Sequence, residues 1–274
     1  MRLKDALKDR FSPAETALLG RSFDLVGAIA IIEIPEGLEK RKRDIATAIV
    51  AMHPRIKTVL AKKGARKARL RNRAMEKIIG WRVETVHKEY GFMLKLNVRQ
   101  AYFSPREATE RQRIASQVQD GETVLVMFAG VGPYALAIAK RKPAKVWAIE
   151  LNKPAFRYLQ HNAKINKLKG SVDCIQGDAG KVAKNLYGKC DRVVMPLPLH
   201  GYRYLPIAIE CLKGRGIIHF YHTGSAAEPF AGAEARLAEA CQGANAKLEI
   251  IGRQIVLPYA PHIYKVCIDA EVRK

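Results

Sequence analysis

The 274-residue sequence predicts an α/β protein. A doubly wound, Rossmann-like, mostly parallel sheet is closed by an antiparallel C-terminal strand pair and preceded by a smaller α+β domain. Three observations lead there. From Thr123 onward, short apolar runs alternate with stretches of helical periodicity. After the first run stands Phe128-Ala-Gly-Val-Gly-Pro133, a glycine turn that opens a helix. The last two apolar segments, 247–256 and 263–272, have no helical stretch between them, as in an antiparallel pair.

In chain order, residues 1–20 read as helical or loosely ordered, with Ser12-Pro13-Ala14-Glu15 as a helix start. Segment 23–34 is rich in β-branched residues and reads as a hairpin-like pair or one long strand, closed by Pro35-Glu36-Gly37. Ile45, Ile49 and Met52 recur at helical spacing, so 39–52 is expected to be a helix. A short strand is expected next, at 57–61. The run 62–73 is the most basic in the chain: Lys62, Lys63, Arg66, Lys67, Arg69, Arg71 and Arg73, with no acid. It is either a solvated charged loop or a segment laid on a phosphate backbone. Residues 83–98 alternate on both sides of Glu89-Tyr90-Gly91, a hairpin signal. Ala101-Tyr-Phe-Ser-Pro-Arg106 leads into a helix over 107–119, and the domain boundary is expected near residue 100. That gives an RNA-binding domain at 1–100 and the sheet domain at 101–274. In the latter, strands are expected at 124–128, 146–149, 172–176, 192–195 and 217–221. Helices are expected at 133–141, 153–164, 179–187, 204–211 and 226–242.

A hydrophobic fraction of 48% is ordinary for a folded chain and argues against disorder. The 48 Lys and Arg against 26 Asp and Glu give a net charge of +22. That excess exceeds what solubility requires and points to a polyanionic partner, nucleic acid first. Five scattered cysteines without Cys-x-x-Cys spacing read as free thiols, with no metal site among the expected features. No apolar run is long enough to span a bilayer and the N-terminus has no signal-peptide core, so a soluble, cytoplasmic protein is expected; it is also expected to be a monomer.

The glycine turn and the tips of the next two strands suggest a cofactor. Gly130 and Gly132 let the backbone approach a ligand, and Glu150, at the tip of the next strand, can accept two ribose hydroxyls. The turn is Gly-Val-Gly-Pro without the third glycine of dinucleotide folds, so an adenosine lacking pyrophosphate fits better: S-adenosylmethionine. Asp178, in Gln176-Gly177-Asp178-Ala179, can accept the adenine amino group or simply cap the next helix. Val126 stands where methyltransferases of this class often carry an acid.

At this point the chain resembles the archaeal and eukaryotic tRNA (guanine-37-N1)-methyltransferases, relatives of the tRNA-wybutosine aminocarboxypropyl transferases. The resemblance spans roughly residues 22–265. It rests on Ser22-Phe-Asp-Leu-Val-Gly27, Tyr102-Phe-Ser-Pro-Arg106 with Glu110-Arg111, Met127-Phe-Ala-Gly-Val-Gly-Pro133, Asp191-Arg-Val-Val-Met195 and Gly216-Ile-Ile-His-Phe-Tyr221. It implies a class I methyltransferase sheet, S-adenosylmethionine as cofactor and the tRNA anticodon stem-loop as partner. It also implies that Glu110 is the general base and Arg71 the residue that stabilises guanine O6, with Arg73 the other match for that role. Arg111, Phe128, Gly130, Gly132, Glu150, Leu151, Asp178 and Ala179 fall on the cofactor-binding positions.

The chemistry suits those roles. Guanine N1 is protonated at neutral pH, so a methyl acceptor there needs a base, and loss of the proton leaves charge on O6 that a guanidinium offsets. The plainer reading of Glu110 is a surface helix residue pairing with Arg106 or Arg113. After Met195 the family carries Asn-Leu-Pro near the target base; here Pro196 replaces the Asn, and His200 reads as a loop histidine. Many family members begin with a further domain that checks tRNA shape; here recognition is expected to rest on residues 22–100 and the catalytic face. Two other functions stay open: another tRNA-37 modification, namely aminocarboxypropyl transfer or methylation of a wybutosine precursor, or an RNA-binding module without catalysis.

Overall fold

The computed structural model describes residues 3–20, 22–63 and 74–274, which form two compact units. The first comprises Met1–Glu89 and Met93–Pro105; the second comprises Tyr90–Phe92 and Arg106–Lys274. In the first unit, helices α1 (Leu3–Leu7) and α2 (Pro13–Leu18) precede strands β1 (Asp24–Val26) and β2 (Ile29–Ile32). Next come helix α3 (Lys42–Met52) and strands β3 (Thr58–Lys63) and β4 (Ala74–Ile79), then the hairpin β5 (Glu84–Glu89) and β6 (Phe92–Asn97). The start of α2 is the expected one. Ser12 accepts the Glu15 N–H while the Glu15 carboxylate accepts the Ser12 N–H, a reciprocal pair that satisfies two end donors.

The first sheet has the order β1-β2-β3-β4, with β2 and β3 parallel across α3. Ile45, Ala46 and Ile49 of α3 pack on Ala30, Ile32, Val59 and Ala61 of the sheet, and Leu7 and Leu38 close the cluster. Segment 23–34 is the hairpin-like pair, turned at Gly27, whose φ is +55°. A Cβ there would lie 2.2 Å from Thr85 Oγ1, so glycine is required for the β5 strand to approach. Strand β4 has no counterpart among the expected elements. Its Glu76 and Lys77 break the apolar run, and it is held by pairing with β3 and by the ion pairs of Glu76 with Lys42 and Lys63.

The second unit begins with α4 (Ala108–Gln117) and continues β7 (Thr123–Val126), α5 (Pro133–Arg141), β8 (Lys145–Glu150), α6 (Lys153–Ile165) and β9 (Ser171–Gln176). It goes on through α7 (Ala179–Val182), β10 (Cys190–Met195), α8 (Leu205–Cys211), β11 (Leu212–Ser225), α9 (Ala231–Gly243), β12 (Lys247–Ala260) and β13 (Ile263–Arg273). The seven strands lie in the order β12-β13-β11-β10-β7-β8-β9. All neighbours from β11 to β9 are parallel, and β13 is antiparallel to both β11 and β12. This is the expected α/β fold with an antiparallel C-terminal pair. Several boundaries differ from expectation, among them those of α7, which ends at Val182, and β12, which runs to Ala260. Helix α9 starts at Ala231 rather than residue 226, after a Ser225-capped turn through Pro229, and β11 runs on both sides of 217–221 because β13 pairs along its whole length. The chain winds outward from β7 through β8 to β9, then returns to place β10 on the other side of β7. That reversal opens a crevice at the strands' carboxyl ends, where ligands of open α/β sheets bind. The cysteines are free: Cys190, Cys211, Cys241 and Cys267 are buried and Cys174 is half-buried. Among the described residues, no helix is long and apolar enough to cross a membrane.

Candidate active site

The crevice is shaped by the turn after β7. Met127 N–H bonds Val194 O of β10 at 3.0 Å, and Ala129 N–H bonds Ile149 O of β8 at 2.8 Å, so the turn is pinned to both neighbouring strands. Phe128, Gly130 and Gly132 have φ of +56°, +58° and +94°. Gly132 caps α5 with Pro133 at the first helical position, and a Cβ on it would stand 2.6 Å from Leu159 Cδ1. Only a bare backbone fits there.

Glu150 ends β8 and closes the turn from the other side. Its Oε2 accepts the Gly130 N–H and its Oε1 the Asn152 N–H, both at 2.6 Å. Burial pushes its carboxyl above the ordinary range, partly offset by the backbone N–H groups of Asn152, Gly130 and Leu151. With these three backbone donors on it, the carboxylate keeps room for about one further hydroxyl donor. At the end of β9, Asp178 caps α7, accepting the Gly180 N–H at 2.9 Å, which is the plainer of its two expected roles. The neighbouring Ala179 is buried and Leu151 exposed. The Phe128 ring meets Tyr204 edge-on at 4.9 Å. Glycine turn, Glu150 and Asp178 thus stand at the ends of three adjacent parallel strands, an arrangement that suits adenosine and requires no further group.

A second constellation lies along α4. Glu110 is only 6% exposed, which sets aside the surface-residue reading, although Arg113 is its partner. Its Oε1 accepts the Tyr221 hydroxyl at 2.6 Å and Arg113 Nη2 at 2.8 Å; its Oε2 accepts Arg113 Nε at 2.7 Å. The same guanidinium donates to Asp269, which also accepts Gln117 Nε2 at 2.9 Å and His219 Nδ1 at 2.7 Å. Arg192 then donates to His219 Nε2 at 2.8 Å and pairs with Glu122. Because a guanidinium can only donate, His219 Nε2 accepts and its proton sits on Nδ1. Burial holds the His219 ring below its ordinary value, hence neutral. Burial alone would raise the Asp269 carboxyl, but the bonds from His219, Arg113 and Gln117 hold it below the usual carboxylate range. Just before α4, Glu107 accepts Lys265 Nζ at 2.7 Å, and on the helix Arg111 is 1% exposed.

His219, Cys267 and Asp269 bring ligand atoms within 4.8 Å of one another, but two guanidiniums flank them and both ring nitrogens of His219 are committed. The cluster is an ion-pair chain and not a cation site. Of the expected site residues, those from Glu110 to Ala179 all belong to the second unit. Arg71 and Arg73 lie outside the described residues. Pro196, buried, sits at the centre of a tight turn closed by Leu197 N–H to Met195 O at 2.8 Å, and His200 is exposed in the loop beyond. Of the partners of Glu110, Arg113 is an expected one, whereas Tyr221 and the buried groups beyond Arg113 are not among the expected features. The signal of that buried network is a charged or polar residue inside an apolar strand: His219 in Ile217-Ile-His-Phe-Tyr221, and Lys265 and Asp269 around Val266-Cys-Ile268.

Comparison with known proteins shows the family. The TRM5/TYW2 methyltransferase domain matches over residues 85–250, and the TYW2 N-terminal domain over residues 3–83. The tRNA (guanine(37)-N(1))-methyltransferase Trm5b of Pyrococcus abyssi is 40% identical over 255 residues, covering 93% of this chain and 76% of that protein. The solved complex of aTrm5 and tRNALeu superposes with a TM-score of 0.84 at 31% identity, covering 97% of this chain and 76% of that one. Methanocaldococcus jannaschii TYW2 in complex with AdoMet does so with a TM-score of 0.73 at 28% identity, over 92% of this chain and 100% of that one. By the two matched domains and the 40% identity over 93% of its length, this chain belongs to the TRM5/TYW2 methyltransferase family.

Proposed function

We propose that the protein transfers a methyl group from S-adenosylmethionine to N1 of guanine-37 in tRNA. The observation that carries this is the 40% identity, over 93% of the chain, to a relative named for that reaction. When bound, S-adenosylmethionine supplies an electrophilic methyl group. The residues that would hold it are Glu150 against the ribose hydroxyls and Asp178 and Ala179 beside the adenine. Phe128, Gly130, Gly132, Leu151 and Arg111 complete the surround. Glu110 takes the N1 proton of the guanine, and Arg71 stabilises the charge left on O6. Arg113 and Tyr221 act through Glu110: three hydrogen bonds fix its carboxylate, so these two are positioning residues. The partner is the tRNA anticodon stem-loop, with a flipped base as acceptor.

Transfer of label from S-adenosylmethionine to tRNA transcripts with G or A at position 37 tests this. Transfer to G37 only, lost in Glu110→Gln, is expected. Equal transfer to both transcripts contradicts it. A second reading is transfer of the aminocarboxypropyl arm, favoured by the TYW2 N-terminal match over residues 3–83 and by Pro196, which offers the base no polar side chain.

A further inference from the structure

The first unit carries a cleft with a volume of about 320 Å³. Its walls are Ala28 of the β1–β2 turn, Ile29 of β2, Lys57 and Thr58 at β3, Arg82, and the faces of β5 and β6. Lys57, Arg82 and Lys95 supply three cations against one acid, Glu84, which pairs with Lys95 at 3.0 Å. Beside it stands Trp81, 73% exposed, a large apolar ring that a folded chain ordinarily covers. The Arg82 guanidinium lies 5.3 Å from its centroid.

The backbone makes this a built platform. Gly80 has φ +71°, and a Cβ on it would lie 2.2 Å from Lys57 O, so the Gly80-Trp81-Arg82 turn is pressed against the start of β3. On the opposite wall, Ala28 N–H bonds Thr85 Oγ1 at 2.9 Å, fixing β5 against the β1–β2 turn. An aromatic face beside a cleft lined by cations is what an unpaired nucleotide needs: the ring stacks the base and the cations take the adjoining phosphate. The first unit, with 23 Lys and Arg against 11 Asp and Glu over residues 1–105, also attracts a polyanion as a whole.

We infer that this cleft is a single-stranded RNA subsite, with a backbone phosphate on Lys57, Arg82 and Lys95 and the neighbouring base stacked on Trp81. The inference rests on the reading of tRNA as partner. All the residues of this subsite belong to the first unit.

The test is tRNA binding by the full chain, measured against salt, for wild type, Trp81→Ala, Lys57→Ala/Arg82→Ala and Glu84→Gln. Trp81→Ala is expected to weaken binding roughly tenfold by loss of one stacked base. The double variant is expected to lower the salt slope by about one for each phosphate left without a cation. Glu84→Gln is expected to tighten binding, because it removes the acid that opposes Lys95. In a Trp147→Phe background, RNA should quench the remaining Trp81 emission. Wild-type binding with all three variants unchanged and Trp81 unquenched overturns the subsite while leaving the tRNA reading intact. Failure of wild type to bind tRNA removes both.

Discussion

Arg113→Gln is the perturbation that probes the second unit most sharply. The Arg113 guanidinium lies between two carboxylates, Glu110 and Asp269, whose side chains are 5% and 6% exposed. Removing it leaves two buried acids facing each other, and breaking a buried pair in this way costs about 3–5 kcal/mol. Arg113 is itself 24% exposed, so water relieves part of that and about 3 kcal/mol is the working figure. For a unit of this size each kcal/mol moves the melting temperature by about 2–4 °C, giving a fall of about 6–12 °C. The sign with pH is diagnostic. In wild type the Asp269 carboxyl lies below its unfolded value, so its stabilisation is complete above the ordinary carboxylate range and is lost as pH falls through the lowered value. In the variant an uncompensated buried carboxylate is relieved by protonation, so the deficit against wild type is larger at neutral pH than at about pH 5. Arg113→Lys keeps the charge and loses the fork, and should fall between the two. Thermal unfolding followed by circular dichroism at both pH values measures this. A melting temperature within about 2 °C of wild type, or a deficit that grows on acidification, refutes the ion-pair account.

Three further outcomes are expected. Gly132→Ala forces a Cβ against Leu159 at φ +94°, costing about 1–3 kcal/mol, read as a lowered melting temperature; an unchanged one contradicts the packing. Glu150→Gln turns an amide N–H₂ toward a backbone N–H and should weaken S-adenosylmethionine binding by roughly 10–100-fold in calorimetry, whereas equal affinity removes Glu150 from the site. Neutral buried His219 makes folding lose stability as pH drops below about 6.5, since the unfolded ring takes a proton the folded one refuses. His219→Asn should flatten that decline in acid titrations; an equally steep one contradicts the assignment.

Legibility in the sequence divides along physical lines. Helix α5 is readable to the residue, because Gly132 and Pro133 set its start and Lys142 leaves the helix. Strands β7, β8 and β10 are readable as apolar runs because they lie inside the sheet and most of their residues are buried. Strand β4 is not, because its partner β3 precedes it across the basic run and its own sequence alternates poorly. The acid and glycine positions of the crevice are readable because they are local to strand ends. The environment of Glu110 is not, since Tyr221 reaches it, and Asp269 reaches its partner Arg113, from more than 100 residues away and only the fold brings them together. Burial separates the two readings of Glu110, and burial is a property of the packed molecule.

The central claim is best tested by mass spectrometry of position 37 after incubating the full chain with S-adenosylmethionine and an unmodified tRNA bearing G37. The account predicts 1-methylguanosine at that position, absent with Glu110→Gln. An aminocarboxypropyl adduct there, or an unmodified guanosine with the cofactor bound, would contradict it.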